Sequence, residues 1–432
     1  MKVPHIVLIG GGFGGLAAAQ ALADSPVRIT LIDRRNHHLF QPLLYQVATA
    51  ALNASDIARP IRRILRHQAN CEVILGEVES IDRLARKVVL DEGEIAYDYL
   101  IVASGATHSY FGHDAWEHDA PGLKTIEDAL EIRRRVLVAY EAAERESDSE
   151  IVHEWMTFVI VGGGPTGAEL AGALAEISRR VLARDFRRVD PKRARIILIE
   201  GTPRVLPALT PESSASAQRQ LERLGVEVIT SAMVTGIDDR GVTHVGGLIP
   251  TRTVIWAAGV AASSLGKSLG VPLDRVGRVI VNPDLSVPGA PEVFVIGDLA
   301  LILGSDGRPV PGLAPAAMQE GRHAARNVIR AIRGERLKPF SYIDKGTLAT
   351  IGRGAAVAEI GRLRLSGFLA WMAWLFIHIF YLIGFRNRFM VLAGWAWVYL
   401  RNESGARLIT GDIEPLLERG EPERRKQRMI LS

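Results

Sequence analysis

Residues 6–15 read IVLIGGGFGG, and residues 158–167 read FVIVGGGPTG. Gly10, Gly12 and Gly15 stand in G-x-G-x-x-G spacing, as do Gly162, Gly164 and Gly167. Each set follows a short apolar, β-branched run that reads as a buried parallel strand, and each opens a helical pattern. The first glycine permits the tight turn, the second lets backbone approach a pyrophosphate, and the third lets the helix pack on its strand. A helix N-terminus then offers free N–H groups and a favourable dipole to the phosphates. One such fingerprint is weak on its own, so the context has to carry it.

That context is present twice. The strand RITLID ends in Asp33 and the strand ARIILIE ends in Glu200. An acid at a strand end about 20 residues past the fingerprint can accept from ribose hydroxyls. Two fingerprints in one chain predict two dinucleotides and electron transfer between them. The stretch LARDFRRVDPKRAR delays the second acid. It reads as an extended helix plus a charged, solvated loop without chemistry.

Composition narrows the classes. A chain of 432 residues allows two or three domains. Its 48% hydrophobic and 23% charged content suits large cores. A net charge of +4, with no basic patch interleaved with aromatics, argues against nucleic-acid binding. The basic end ERRKQR suits either anionic lipid or plain solvation. Cys71 is the single cysteine, which excludes an intramolecular disulfide and a cysteine-rich metal site. The first strand begins near Val3, leaving no room for a signal peptide and predicting an intracellular chain.

Along the chain, a βαβ block closes with YLIVASGAT (Tyr99 to Thr107). A long charged helix, EDALEIRRRVLVAYEAAERE, and a linker follow. A second βαβ block from Met156 closes with TVIWAAGV at Val260, parallel to the first. The chain then returns with EVFVIGDLA, ending a strand at Asp298, and the helix APAAMQEGRHAARNVIRAIRGE. Residues 339–365 read as short strands with glycine turns. The predicted class is α/β, with two Rossmann-like dinucleotide-binding domains, the second inserted in the first. The expected boundaries are 1–125 and 276–338 for the first domain, 126–275 for the insert, and 339–432 for a C-terminal membrane-docking or dimerisation region.

The order of fingerprint, ASGAT strand, second fingerprint, AAG strand, GD strand and helix resembles the flavoproteins of glutathione reductase architecture. The resemblance spans roughly residues 3–335. Disulfide reductases carry C-x-x-x-x-C after the first ribose acid, and sulfide:quinone enzymes need several cysteines. This chain has HHLFQPLLYQVATA (His37 to Ala50) instead. That segment and WLFIHIFYLIGFRNR resemble the type II NADH dehydrogenases, single-subunit NADH:quinone oxidoreductases.

The resemblance implies an FAD site at Gly10, Gly12, Gly14 and Gly15, with Asp33 on the adenosine ribose, Val78 at the adenine and Asp298 on the ribityl chain. It implies an NADH site at Gly164, Thr166 and Gly167, with Glu200 on the ribose and disfavouring a 2′-phosphate. Arg204 nearby tempers that preference. Glu169, Ala258 and Gly259 would lie near the nicotinamide; Glu169 also reads as a helix-start acid complementing the dipole. Pro315 suits the first turn of a helix aimed at the flavin, with the N–H groups of Ala317 and Met318 as donors. The family's quinone motif A-Q-x-x-x-Q is matched at Gln319, while Pro315 replaces the first glutamine. Gln46 and Tyr45 would flank the isoalloxazine or simply pack. His37 and His38 would relay protons to a quinone, or be plain surface or packing residues. The hydride transfer itself asks no acid or base of the protein.

Residues 367–385, GFLAWMAWLFIHIFYLIGF, form an apolar run of about 19 residues, long enough for a membrane span or a buried helix. Phe368, Trp371, Trp374, His378, Tyr381 and Phe385 recur at helical spacing, and Arg386 and Arg388 follow. Aromatics and abutting arginines suit an interface. The resemblance implies monotopic attachment through residues 366–400 at the cytoplasmic face of the inner membrane, often with homodimerisation. It further implies oxidation of NADH with two-electron reduction of a membrane quinone, ubiquinone or menaquinone, and no proton pumping. Two other readings stay open: a soluble reductase serving a ferredoxin-like protein, and a redox-regulated binding protein resembling apoptosis-inducing factor.

Overall fold

The strand His5–Ile9 is buried along its whole length, and two parallel neighbours sandwich it. In the computed structural model, which describes residues 3–304, 307–401 and 406–417, it pairs with Arg28–Asp33 on one side and Tyr99–Val102 on the other. Cys71–Leu75 extends the sheet beyond Arg28–Asp33, and Ala290–Val295 beyond Tyr99–Val102. Ser286–Val287 adds an antiparallel edge, completing six strands. Burial on both faces explains the unbroken apolar runs. The strand order reverses at His5–Ile9, where α/β folds open their ligand crevice. This sheet lies in a compact unit of residues 1–39, 58–107 and 260–345.

The second unit holds residues 40–57, 108–259 and 346–432. Its four-stranded parallel sheet repeats the first arrangement. Thr157–Val161 sits between Arg195–Ile199 and Thr253–Trp256, and Val226–Ile229 lies at the edge. The charged helix runs Ile126–Arg145, opened by a Thr125–Asp128 capping box. The expected linker after it contains another helix, Ser149–Trp155. The expected extension of helix Pro165–Glu176 is only a π-helical turn, Ile177–Val181.

The C-terminal strands Thr347–Gly352, Ala355–Ile360 and Leu363–Ser366 form an antiparallel meander. It packs on helices Pro165–Glu176 and Pro211–Arg223 of the same unit. A Cβ at Gly172 would stand 1.7 Å from the Ile351 carbonyl oxygen, so the helix backbone rests directly on the strand. Gln220 donates to the Ala356 carbonyl at 3.3 Å.

The apolar run is not one helix. Phe368–Tyr381 ends at a turn through Gly384, and Phe385–Arg401 begins anew. Arg388 stabilises the break by donating to the carbonyls of Phe380 (2.6 Å) and Leu382 (2.8 Å), the last groups of the first helix. At 1.5 Å per residue that helix is about 21 Å long, short of a ~30 Å hydrocarbon core. Among the described residues no helix is long and apolar enough to cross a membrane. The basic end ERRKQR lies outside the described residues.

A Cβ at Gly15 would lie 1.8 Å from the Gly10 carbonyl oxygen. Gly15→Ala therefore forces helix Phe13–Ala21 off its strand. It is expected to cost about 1–3 kcal/mol, read as a lowered urea midpoint.

Candidate functional site: two glycine cradles closed by strand-end acids

In the first unit the fingerprint folds into strand, turn and helix, with Gly12 at the N-cap of Phe13–Ala21. Gly10 packs on the Ala103–Ser104 backbone, where a Cβ would meet the Ala103 oxygen at 2.4 Å. Gly14 faces Ile296 and the Ala317 carbonyl, each just over 3 Å from a would-be Cβ. Around Gly12 a Cβ would meet nothing within 4 Å. The loop is thus tight against protein everywhere except where a phosphate would lie.

Asp33 closes this loop. One carboxylate oxygen accepts from the Gly11 N–H (2.6 Å), the other from the Arg35 N–H (2.7 Å). Gly76 donates to the Asp33 carbonyl at 3.0 Å, setting strand Val78–Asp82 and hence Val78 beside it. Asp298 sits in the turn Gly297–Leu299, opposite Gly312. Among the described residues, two buried polar atoms here have no hydrogen-bond partner, Ser104 Oγ and His38 Nε2. An open N-cap, a held carboxylate and unspent polar atoms fit an adenine dinucleotide such as FAD.

The second unit repeats this closely. Gly163 donates to Glu200 at 2.5 Å, and Thr202 donates to its other oxygen at 2.7 Å. A Cβ at Gly167 would lie 1.8 Å from the Gly162 oxygen, while one at Gly164 would meet nothing. Thr166 stands in the first turn of Pro165–Glu176. Gly162 packs on Ala258, so the AAG turn with Gly259 abuts the fingerprint as ASG does in the first unit. Arg204 is half-buried and donates to the Pro207 carbonyl at 3.1 Å.

Glu169 lies one turn further along that helix, and its carboxyl accepts from the Thr350 N–H of the C-terminal meander. Some of its side-chain surface remains open, but the carboxyl is packed round by protein. Loss of hydration pushes its pKa up to about 8, against the Thr350 bond. Gln46 is buried: it donates to the Tyr45 hydroxyl (2.8 Å) and accepts from the Trp395 indole (2.7 Å), tying helix Leu44–Ala48 to Phe385–Arg401.

Two expectations meet geometry that differs from them. The Ala317 N–H donates to the Leu313 carbonyl at 3.0 Å, inside helix Ala314–Ile332. Met318, one residue deeper, belongs to the same regular ladder. The dipole of this helix remains, but these two N–H groups are spent, because the helix starts at Ala314. The Gln319 side chain is likewise occupied, by Pro315 and Ile343.

Residues 4–321 match the family model for pyridine nucleotide-disulphide oxidoreductases, and residues 345–402 match the NDH2 C-terminal domain. The type II NADH:quinone oxidoreductase NdhA of Mycobacterium tuberculosis is 47% identical over 427 residues, covering 95% of this chain and 90% of that protein. This chain belongs to the type II NADH:quinone oxidoreductases. Ndh of the same organism is 46% identical over 94% of the chain and 90% of its own length. The fold is shared with NDH2 from Plasmodium falciparum, solved in complex with NADH. Its TM-score is 0.85, at 21% identity, over 95% of this chain and 100% of that one.

Several polar residues of this type II oxidoreductase are placed by contacts the sequence does not display. Of the readings open to it, His38 takes the packing one. It is buried, donates from Nδ1 to the Gly11 carbonyl at 3.0 Å and stands edge-on to Phe13, and burial pulls its pKa down. Glu320 is buried and accepts from the Gly297 N–H at 2.6 Å, bracing the Asp298 turn; burial lifts its pKa to about 7. Its position between inward-facing Ala316 and Ala324 on one helix face was the available signal. Arg133, in a helix that reads as charged, is buried and donates to the carbonyls of Val47 (2.8 Å) and Leu52 (2.9 Å).

Because nothing of the protein meets a Cβ at Gly12, Gly12→Ala is expected to keep the urea midpoint of the apoprotein. FAD affinity, read by quenching of flavin fluorescence, should drop at least about tenfold, since the methyl fills the phosphate's approach. Equal loss in both measurements would refute that use of the space.

Proposed function

We propose that this chain oxidises NADH through FAD and reduces a membrane quinone by two electrons, without pumping protons. Bound FAD supplies the chemistry, taking a hydride from NADH and yielding two electrons to the quinone. The observation that carries the reading is the doubled cradle. Gly11 with Asp33, and Gly163 with Glu200, make the same backbone-to-carboxylate bond in two units. We assign the first, with Gly10, Gly12, Gly14, Gly15, Val78 and Asp298, to FAD. The second, with Gly164, Thr166, Gly167, Ala258 and Gly259, we assign to NADH. Glu200 disfavours a 2′-phosphate by charge, and Arg204's existing bond to Pro207 supports NADH over NADPH. A thiol relay has no second cysteine to use, and burial lifts the Cys71 thiol to about 11.

The purified protein should be yellow. Under anaerobic conditions NADH oxidation should stay slow until a short-chain quinone is added. Turnover that needs an iron–sulfur protein instead would overturn the reading, as would a long-lived NADH complex that quinone does not discharge.

Glu169 is proposed as a neutral acid at working pH, near the nicotinamide. Between its ordinary carboxyl range and about 8 the folded protein holds a proton that the unfolded chain has released. Stability therefore falls as pH rises through that window and levels above it. Glu169→Gln carries no charge, so its melting temperature should gain on the wild type from pH 5 to pH 8. The rise or fall in quinone-dependent turnover near pH 8 should vanish with it.

Residues 366–400 are proposed to dock on lipid without spanning it. Phe368, Leu369, Phe376 and Phe380 of the first helix are exposed, as are Phe389, Leu392 and Trp397 of the second, while Trp374, Val391 and Trp395 turn inward. An outward face this apolar suits a bilayer surface better than water. NADH as electron donor supports the cytoplasmic face, and a second copy of the chain bound through this region is proposed with it. Replacing Phe376, Phe380, Phe389 and Trp397 by Ser should release the protein from co-sedimenting vesicles of anionic phospholipid while leaving FAD bound. Undiminished sedimentation would sink the docking proposal.

A further inference from the structure

Helix Ala314–Ile332 carries Gln319, His323 and Asn327 at i, i+4 and i+8, one stripe along its length. All three bond to the backbone of residues 338–343, a stretch with no helix or strand of its own. Asn327, fully buried, donates to the Lys338 carbonyl (2.9 Å) and accepts from its N–H (3.1 Å). His323 Nε2 donates to the same carbonyl at 2.8 Å. Gln319 donates to the Ile343 carbonyl and accepts from the Ile343 N–H, both at 3.0 Å. Phe340 adds a bond to Pro283, 2.8 Å. The side chains take the place of a neighbouring strand, two of them pairing with both groups of one residue.

A glutamine amide has two N–H donors. In Gln319 one goes to Ile343 and the other to the Pro315 carbonyl at 3.2 Å. Turning the amide over would set its oxygen against two carbonyl oxygens and its nitrogen against an N–H, so the network fixes the orientation. Both donors of Gln319 are thus spent on backbone carbonyls. Nor does burial of Ile343 hold the segment, since the residue is 69% exposed.

We propose that Gln319 is a positioning residue that clamps residues 338–343 to this helix. The proposal rests on the quinone-reductase reading above, and concerns how the helix beside the flavin turn is completed. Gln319 acts on quinone through the segment it holds. Loosening the segment from its other side should therefore have the same effect.

The FAD-loaded, full-length protein serves for the test, with Gln319→Met, which keeps bulk without amide groups, and Ile343→Pro, which removes the N–H that Gln319 accepts. Amide exchange across residues 338–343 should speed up by about tenfold or more in Gln319→Met. KM for a short-chain quinone should rise by a similar factor in both variants. The double variant should be no worse than either alone, because both cut one contact. Ferricyanide reduction by Ile343→Pro should stay at the wild-type rate, which also shows that the variant is folded. Exchange left protected in Gln319→Met would overturn the clamp. So would unchanged quinone kinetics in Ile343→Pro, or penalties that multiply in the double variant. If the wild type shows no quinone-dependent turnover, the functional reading fails instead, and the exchange comparison alone decides the clamp.

Discussion

Backbone contact without a side chain between is the constraint on which this protein depends. At Gly15 and again at Gly167, a methyl group would stand 1.8 Å from the carbonyl oxygen that opens its own loop. Only because that methyl is missing can the helix lie on the strand that feeds it. The helix start then points its free donors at the crevice. The loop's own second glycine N–H, at Gly11 or Gly163, turns inward to hold the acid of the neighbouring strand. The same local solution, reached twice, shapes both glycine loops before any longer-range packing is considered.

Longer-range packing adds the tuning. The C-terminal meander meets helix Pro165–Glu176 at Gly172 and brings the Thr350 N–H to Glu169. Glu169 lies past the first turn, so it is not the helix-start acid it could read as; it is walled in, and its pKa rises into the range where proton exchange at neutral pH is useful. Burial does the same to Glu320, which braces the Asp298 turn. Likewise Gln46, Trp395 and Arg133 bind a loop segment and a helix from distant parts of the chain into one unit. In each case a polar side chain is kept inside because backbone or indole partners satisfy it.

The parts legible from residues alone were those whose cause is local. Glycine spacing, apolar strands and strand-end acids each act within one βαβ turn, and Asp33 and Glu200 stand where that logic puts them. The helix starts at Ala314, one residue before the proline that marks its first turn, so the Ala317 N–H already bonds to the Leu313 carbonyl; capping geometry sets such starts. The apolar run 367–385 read as continuous because the break is made by Arg388, whose reach back to Phe380 is a matter of conformation. Surface and packing both stayed open for His38, because its partner, the Gly11 carbonyl, is remote in sequence.

By itself, the sequence determined that two dinucleotide cradles must form, which acids close them, and that no thiol pair could carry electrons. Those outcomes follow from steric exclusion and from residue chemistry, which need only neighbours a few positions away or one strand over. Tertiary structure decided what the polar side chains actually touch. It made Gln319 a clamp with both donors engaged, Glu169 an acid screened from water, and His38 a prop under the glycine loop. Hydrogen-bond partnership and hydration depend on which distant backbone arrives alongside, and no spacing along the chain encodes that arrival.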